Sequence, residues 1–290
     1  MVSIYDGDCK VQEISVMCMF RNDASYIETF FIPIMNSMEK YYDVVFNYYV
    51  IENNSVDNTR VILKTFFKEK SSNSKLLLFN LKQDFKNIGN GKNYERLYNL
   101  ANIRNKLVDT VTPLSSSWCL FVDSNIYIKE NILEEMFRHV APDIGMMTPY
   151  TQQLFIPDVH GKLLNLLNLK KPSLLGHYYD TFSFYGKDNK TFWPYCPFEK
   201  CVFCNRHECN NRTTIPKGGN VVDVHSCFGG FALIRTEILN NDIVRWETLS
   251  HEITNDESLC EHYQFCFLLR KVCGKRVVVL QNVDDIYRTI

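Results

Sequence analysis

The sequence predicts an α/β fold, a mainly parallel sheet flanked by helices, and three observations predict it. Strand-length apolar runs alternate four times with stretches of helical period. Three of those runs stop at polar clusters, which in such sheets is where ligands sit, beyond the carboxyl ends of the strands. A chain of 290 residues, 46% apolar and 22% charged, also has the composition of a globular protein with a sizeable core. Its length suits one large domain over 1–290 with an insertion.

The elements follow in order. Residues 14–20 form an apolar run that ends at Arg21-Asn22-Asp23 and reads as a buried strand. Over 24–41 the apolar residues Ile27, Phe30, Phe31, Ile34, Met35 and Met38 recur at helical spacing, with Pro33 as the weak point of that helix. Residues 44–51 make a second strand, Asp57 caps a helix over 58–67, and 76–79 make a third strand. A Gly/Asn-rich loop leads to a helix carrying Leu97, Leu100, Ala101, Leu107, Val108 and Val111, and then to a strand over 118–122. From 150 to 218 the alternation lapses and prolines, aromatics and cysteines gather, which reads as an insertion or lid. Regularity returns over 219–290, with strands at 221–225, 231–235 and 277–280 and a helix over 257–273 ended by Gly274.

Charge and hydropathy exclude several classes. The 32 basic and 33 acidic side chains leave a net charge of -1, so there is no global field to hold nucleic acid or an anionic membrane, and an anionic ligand must be held locally. No run approaches the length of a membrane span, and the first residues lack a basic region followed by an apolar one. The chain is expected to be cytoplasmic, with most of its 11 cysteines reduced or bound to metal. The 27 asparagines against 12 glycines match the bias of AT-rich genomes, such as those of protists or large DNA viruses.

The polar clusters carry the chemistry. The strand ending at Val122 delivers Asp123, Ser124 and Asn125 to the sheet edge. Asp123 and Asn125, two apart on an extended chain, point the same way and can share a hard cation; alone, the triplet also suits an Asx-type turn. Glu52-Asn53-Asn54-Ser55-Val56-Asp57-Asn58-Thr59 likewise leaves a strand and opens a helix, where a base or ribose can be hydrogen-bonded or where Ser55 and Asp57 simply cap. Lys92, Arg96 and Arg104 are candidate phosphate contacts, and Arg104 lies on the apolar stripe of its helix between Ala101 and Leu107. Glu257 and Glu261, four apart, share a face of the last helix as candidate general bases, with Asp180 and Asp223 as further acids. Gly229-Gly230 let backbone approach a ligand; no G-x-S-x-G elbow accompanies Ser226 and Cys227.

Taken in order, these segments resemble glycosyltransferases of the GT-A fold. The matching motifs are E-N-x-S-x-D-x-T at 52–59, Asp123 and Asn125 in the place of D-x-D, R-x7-R-N at Arg96, Arg104 and Asn105, Ser226 to Gly230, and Cys260-Glu261-His262. With Tyr178-Tyr179-Asp180-Thr181 they are most similar to the cryptococcal-type α-mannosyltransferase group and related viral and fungal enzymes. The resemblance implies a nucleotide-sugar-binding half over about 13–128 and an acceptor-side half after the insertion. It implies transfer of a sugar from a nucleotide diphosphate donor to a hydroxyl of a glycan or glycoprotein. Arg21, Glu52, Asn54, Asp57, Arg96, Arg104, Ser124, Gly229 and Gly230 would bind the donor, and Asp123, Asp180 and Glu261 would be catalytic. Mn²⁺ or Mg²⁺ would be held by Asp123, Asn125 and His262, with imidazole favouring manganese. Asn125 departs from the pattern, removing one negative charge from the ion's shell.

Cys196, Cys201, Cys204, His207 and Cys209 form a separate signal, C-x4-C-x2-C-x2-H-x-C, from which four ligands can enclose a structural Zn²⁺; reduced thiols or disulfides are the other readings. Two further functions compete. A sugar nucleotidyltransferase shares this kind of sheet, but Arg21-Asn22-Asp23-Ala24 lacks the glycines of its phosphate loop. A zinc-stabilised nucleic-acid-binding protein conflicts with the near-zero charge.

Overall fold

The computed structural model describes residues 1–80, 94–155, 173–178, 180, 182–189, 191–192, 212–213, 220–249, 259–281 and 286–288. The strands used below are β1 (Glu13–Phe20), β2 (Val45–Asn53), β3 (Lys75–Phe79), β4 (Trp118–Val122), β5 (Ile126–Tyr127), β6 (Ile144–Pro149), β7 (Gln152–Phe155), β8 (Ser173–Tyr178), β9 (Tyr185–Gly186), β10 (Val221–Ser226), β11 (Phe231–Arg235), β12 (Arg276–Leu280) and β13 (Tyr287–Arg288). One large sheet runs β9-β10-β12-β6-β11-β4-β1-β2-β3, extended beyond β9 by Thr191–Phe192 and Arg212–Thr213. The block β4-β1-β2-β3 is parallel, as the strand and helix alternation requires. Beyond β4 the sheet is mixed: β11 is antiparallel to both β4 and β6, while β6 and β12 are parallel. A small sheet, β8-β7-β13-β5, covers one end.

Period-two alternation splits the core between the two faces of the sheet. On β1, Ile14, Val16, Cys18 and Phe20 point to one side and Met17 to the other; on β4, Trp118, Leu120 and Val122 oppose Cys119 and Phe121. The first side is covered by a helix over 24–41, α1, and by α2 (Thr59–Phe67) and α4 (Ile132–Phe137). The second is covered by α3 (Tyr94–Val111) and α6 (Glu261–Cys273), with short α5 (Thr236–Leu239) beside them. Each large apolar side chain buried this way contributes roughly 1.5–3 kcal/mol.

Two helices differ from expectation. α1 contains a π-helical turn, Ile27–Phe31, ahead of Ile32–Tyr41, and Pro33 sits at the start of that last segment, where its missing N–H is best tolerated. The last helix begins at Glu261 rather than 257, because Cys260 is extended (ψ 140) and cannot continue a helix backwards. Glu257 lies outside the described residues. Gly274 ends α6 in the left-handed conformation, φ 63, as expected. The insertion's described parts are short strands, β7 to β9 among them, and Cys196, Cys201, Cys204, His207 and Cys209 lie outside the described residues.

Candidate active site

The carboxyl ends of β1, β2 and β4 converge, and two of the loops that leave them are bonded to each other. Asn22, at φ 55, donates its amide to Ser55 Oγ (2.9 Å) and accepts from the Val56 amide (2.8 Å). The Asp23 amide donates to Thr59 Oγ1 (2.9 Å) and the Ala24 amide to Asp57 (3.1 Å), while the Thr59 amide also donates to Asp57 (3.0 Å). The side chains of the 52–59 segment thus satisfy the orphan amides at the start of α1 as well as those of α2. Glu52 is fully buried, pairs with Arg60 and accepts from the Ser55 amide (2.6 Å). Glu52 and Asp57, expected as donor contacts, thus bond to neighbouring backbone and to Arg60, and Asn54 takes φ 53 between them.

In front of that loop lies a cavity of about 470 Å³. Its walls come from β1 and the residues after it (Met19, Phe20, Arg21, Asp23), from Asn53, from one face of α3 (Arg96, Asn99, Leu100, Ile103, Arg104), from Asp123, Ser124 and Asn125, and from Arg288. Of the candidate residues, Arg21, Arg96, Arg104, Asp123, Ser124 and Asn125 are therefore brought together. Burial pushes the Asp123 carboxyl up to about 6, with Arg104 and Arg288 pulling it down and Asp180 and Asp23 pushing it further up. Burial also raises Asp23, whose carboxylate accepts bonds from the Arg21 amide (2.8 Å) and from Ser124. A cavity bearing four arginines and two carboxylates, one of them poised near neutrality, suits a polyanion and an associated cation.

Arg104 is the centre of the buried electrostatics. It is 5% exposed, pairs with Glu261 through Nη1, and lies over the Phe228 ring at 5.4 Å. Its Nε has no hydrogen-bond partner among the described residues. Glu261 is 2% exposed. Burial alone would push its pKa up, but the Arg104 guanidinium beside it outweighs that, and the carboxyl is held below its ordinary value. A carboxylate so stabilised is a poor proton acceptor, and the pairing sets Glu261 to hold the Arg104 guanidinium.

His262 does not join Asp123. It stacks on Phe228 (4.0 Å between centroids), and its Nδ1 accepts from Trp246 Nε1 (3.2 Å). Burial, with the Arg104 charge beside it, pushes its pKa down to about 3. A neutral imidazole that accepts at Nδ1 carries its proton on Nε2. In this arrangement Nδ1 is occupied by Trp246, and His262, expected as a metal ligand, is not among the cavity walls. The Cys260 thiol donates to Glu261 (3.3 Å), so although Cys260, Glu261 and His262 place ligand atoms within 4.8 Å of one another, they form a network already bonded internally.

Asp180, Gly229 and Gly230 are not among the cavity walls. Asp180 accepts from Ser183 Oγ (2.5 Å) and from the Gly229 amide (3.1 Å), and burial raises its pKa. Gly229 and Gly230 have φ 67 and 69. A Cβ on Gly230 would lie 2.6 Å from Ile126 and 3.2 Å from the Asp123 carboxylate, so the missing side chain makes room for Ile126 first and lets Asp123 approach. The sequence reading missed Asp23, Asn53, Asn99 and Arg288 as cavity walls. Asp23 and Asn53 sat within clusters already singled out, Asn99 lay three residues after Arg96, and nothing local marked Arg288, which strand pairing brings beside Ile126.

No protein-family model matches the sequence, and no curated protein is similar to it in sequence. Solved structures with a similar chain trace include Staphylococcus aureus TarS residues 1–349 in complex with UDP (TM-score 0.49, 14% identity, 96% of this chain and 61% of that one). Others are the mannosyltransferase PcManGT from Pyrobaculum calidifontis in complex with GDP-Man and Mn²⁺ (0.46, 10%, 93% and 55%) and GalNAc-T7 with UDP, GalNAc and Mn²⁺ (0.48, 9%, 96% and 43%). The chain thus spans about three fifths of TarS 1–349 and 37% of longer TarS. At these values the likeness carries no inference about chemistry, which rests on the cavity.

Proposed function

We propose that the protein is a glycosyltransferase that moves a sugar from a nucleotide diphosphate donor to a hydroxyl acceptor. The observation that carries this reading is the half-satisfied, buried Arg104 guanidinium beside Asp123 in a cavity at the carboxyl ends of parallel strands. Breaking a sugar–diphosphate bond leaves negative charge on the departing diphosphate, and fixed cationic groups are what that charge needs. Arg104, Arg21, Arg96 and Arg288 would hold the phosphate oxygens, and Glu261 keeps Arg104 in place. Asp123 and Asn125 offer oxygen donors that fit a hard divalent cation completed by phosphate oxygens, and the close approach allowed by Gly230 leaves Asp123 facing that position. When bound, Mn²⁺ or Mg²⁺ would act as a Lewis acid on the leaving group. A glycan or glycoprotein acceptor and a mannose-type donor are the finer readings that the sequence resemblance implies.

Thermal-shift measurements with UDP, GDP and their sugars, with and without Mn²⁺, test the reading. A ligand that binds the native state alone raises the melting temperature, and the shift should grow with Mn²⁺. Product analysis should then show free nucleoside diphosphate; released pyrophosphate would instead identify a nucleotidyltransferase. No shift with any diphosphate would overturn the proposal.

A further inference from the structure

Asn99 is 2% exposed, lies in the middle of α3 and lines the cavity, yet its Nδ2 has no hydrogen-bond partner among the described residues. Buried side-chain amides are rarely left this way. Asn105, six residues on in the same helix, shows the ordinary arrangement: its Nδ2 donates to the Trp246 carbonyl (2.8 Å) and its Oδ1 accepts the Trp246 amide (3.0 Å). Asparagine is also a poor helix-interior residue, so a buried one whose Nδ2 goes unpaired is not there for the helix.

The position of Asn99 indicates what its donor meets. Arg104, which interacts electrostatically with Asp123, and Asn99 both line the cavity, five residues apart on α3, about 7.5 Å at the helical rise. A ligand whose diphosphate meets Arg104 can therefore reach Asn99 with its nucleoside. With Asn99, α3 gives the cavity wall Arg96, Leu100 and Ile103, and β1 gives it Met19 and Phe20. Apolar side chains beside a buried amide donor suit a nucleobase better than a polyhydroxylated ribose. Resting on the glycosyltransferase reading, we propose that Asn99 selects the donor's nucleobase by donating Nδ2–H to a ring carbonyl oxygen, as uracil or guanine offers. Adenine presents an amino group where guanine has its carbonyl, so two donors would face one another.

Calorimetric titration of the full chain with pyrophosphate, UDP, GDP and ADP tests this in the wild type, Asn99→Leu and Asn99→Asp. The wild type should bind UDP or GDP at least about tenfold more tightly than ADP, the scale of one neutral hydrogen bond together with the unpaired donor left behind. Asn99→Leu should erase that difference, leave pyrophosphate affinity unchanged and keep or raise the melting temperature, because an unpartnered buried donor has been removed. Asn99→Asp, which replaces the donor with an acceptor, should shift the preference towards ADP. Equal binding of ADP, UDP and GDP by the wild type would overturn the inference while leaving the diphosphate site standing. So would a parallel loss of pyrophosphate and nucleotides in a destabilised Asn99→Leu. If the wild type binds neither pyrophosphate nor any nucleotide, the glycosyltransferase reading falls as well.

Discussion

The 52–59 loop and the cavity face of α3 invert what their sequences suggest. The loop looks like a ligand-binding motif, yet Glu52, Ser55, Asp57 and Thr59 are bonded to neighbouring backbone or to Arg60. The helix looks like an ordinary amphipathic element, yet Asn99 Nδ2 and Arg104 Nε are buried without partners among the described residues. What separates them is hydrogen-bond satisfaction: groups already paired shape the site, and groups left unpaired await a ligand.

The sharpest way to break this contrast is at Asp123. Asp123→Asn should lower transfer by at least about 1,000-fold, measured as sugar transfer and as donor hydrolysis, and it should not cost stability. The sign follows from its pKa. The folded value near 6 lies above the unfolded carboxyl value of about 4, so between those pH values the native state alone retains the proton. Stability therefore falls as pH rises through that window, by about 3 kcal/mol, and Asp123→Asn should flatten that slope in denaturant titrations. Wild-type activity should fade on acidification below about pH 6 as the carboxylate is lost, and the fade should move to lower pH with added Mn²⁺.

A smaller effect is expected at Glu261. Glu261→Gln should change donor affinity through Arg104 but should remove no ionisation from the pH profile of transfer, because Glu261 is held ionised and is no proton acceptor. Loss of a basic limb in that variant would return Glu261 to the role of general base. The smallest catalytic effect belongs to the loop. Asp57→Ala removes acceptors from two amides and should cost about 1–2 kcal/mol in denaturant stability, with transfer by the folded fraction within about threefold of wild type. A large loss of transfer without loss of stability would make Asp57 a ligand contact.

Much of the fold is legible in the sequence, because period-two and helical patterns are enforced by burial on both faces of the sheet. Residues 14–20 and 118–122 alternate between two cores, and Gly274 stops α6 as a left-handed cap must. The start of α6 is not legible, since the extended Cys260 leaves no mark on the periodicity before it. Within the site, residues immediately following strands are found from sequence because topology alone carries them to the sheet edge; Asp123, Asn125 and Arg21 are examples. Arg288 escapes because it reaches the cavity by pairing with Ile126 across more than half the chain. The role of His262 escapes because it turns on which nitrogen faces Trp246, a fact of packing.

The account's central claim is that Arg104 is reserved for a diphosphate. Replacing Arg104 alone would strand a buried carboxylate and destabilise the fold, so the informative variant is the neutral pair Arg104→Met with Glu261→Gln. Calorimetric titration of pyrophosphate and of UDP or GDP into that folded double variant should show affinity lower by about 30-fold for both, the scale of one charge-assisted hydrogen bond lost from a buried site. Unchanged affinity for both ligands would contradict the claim.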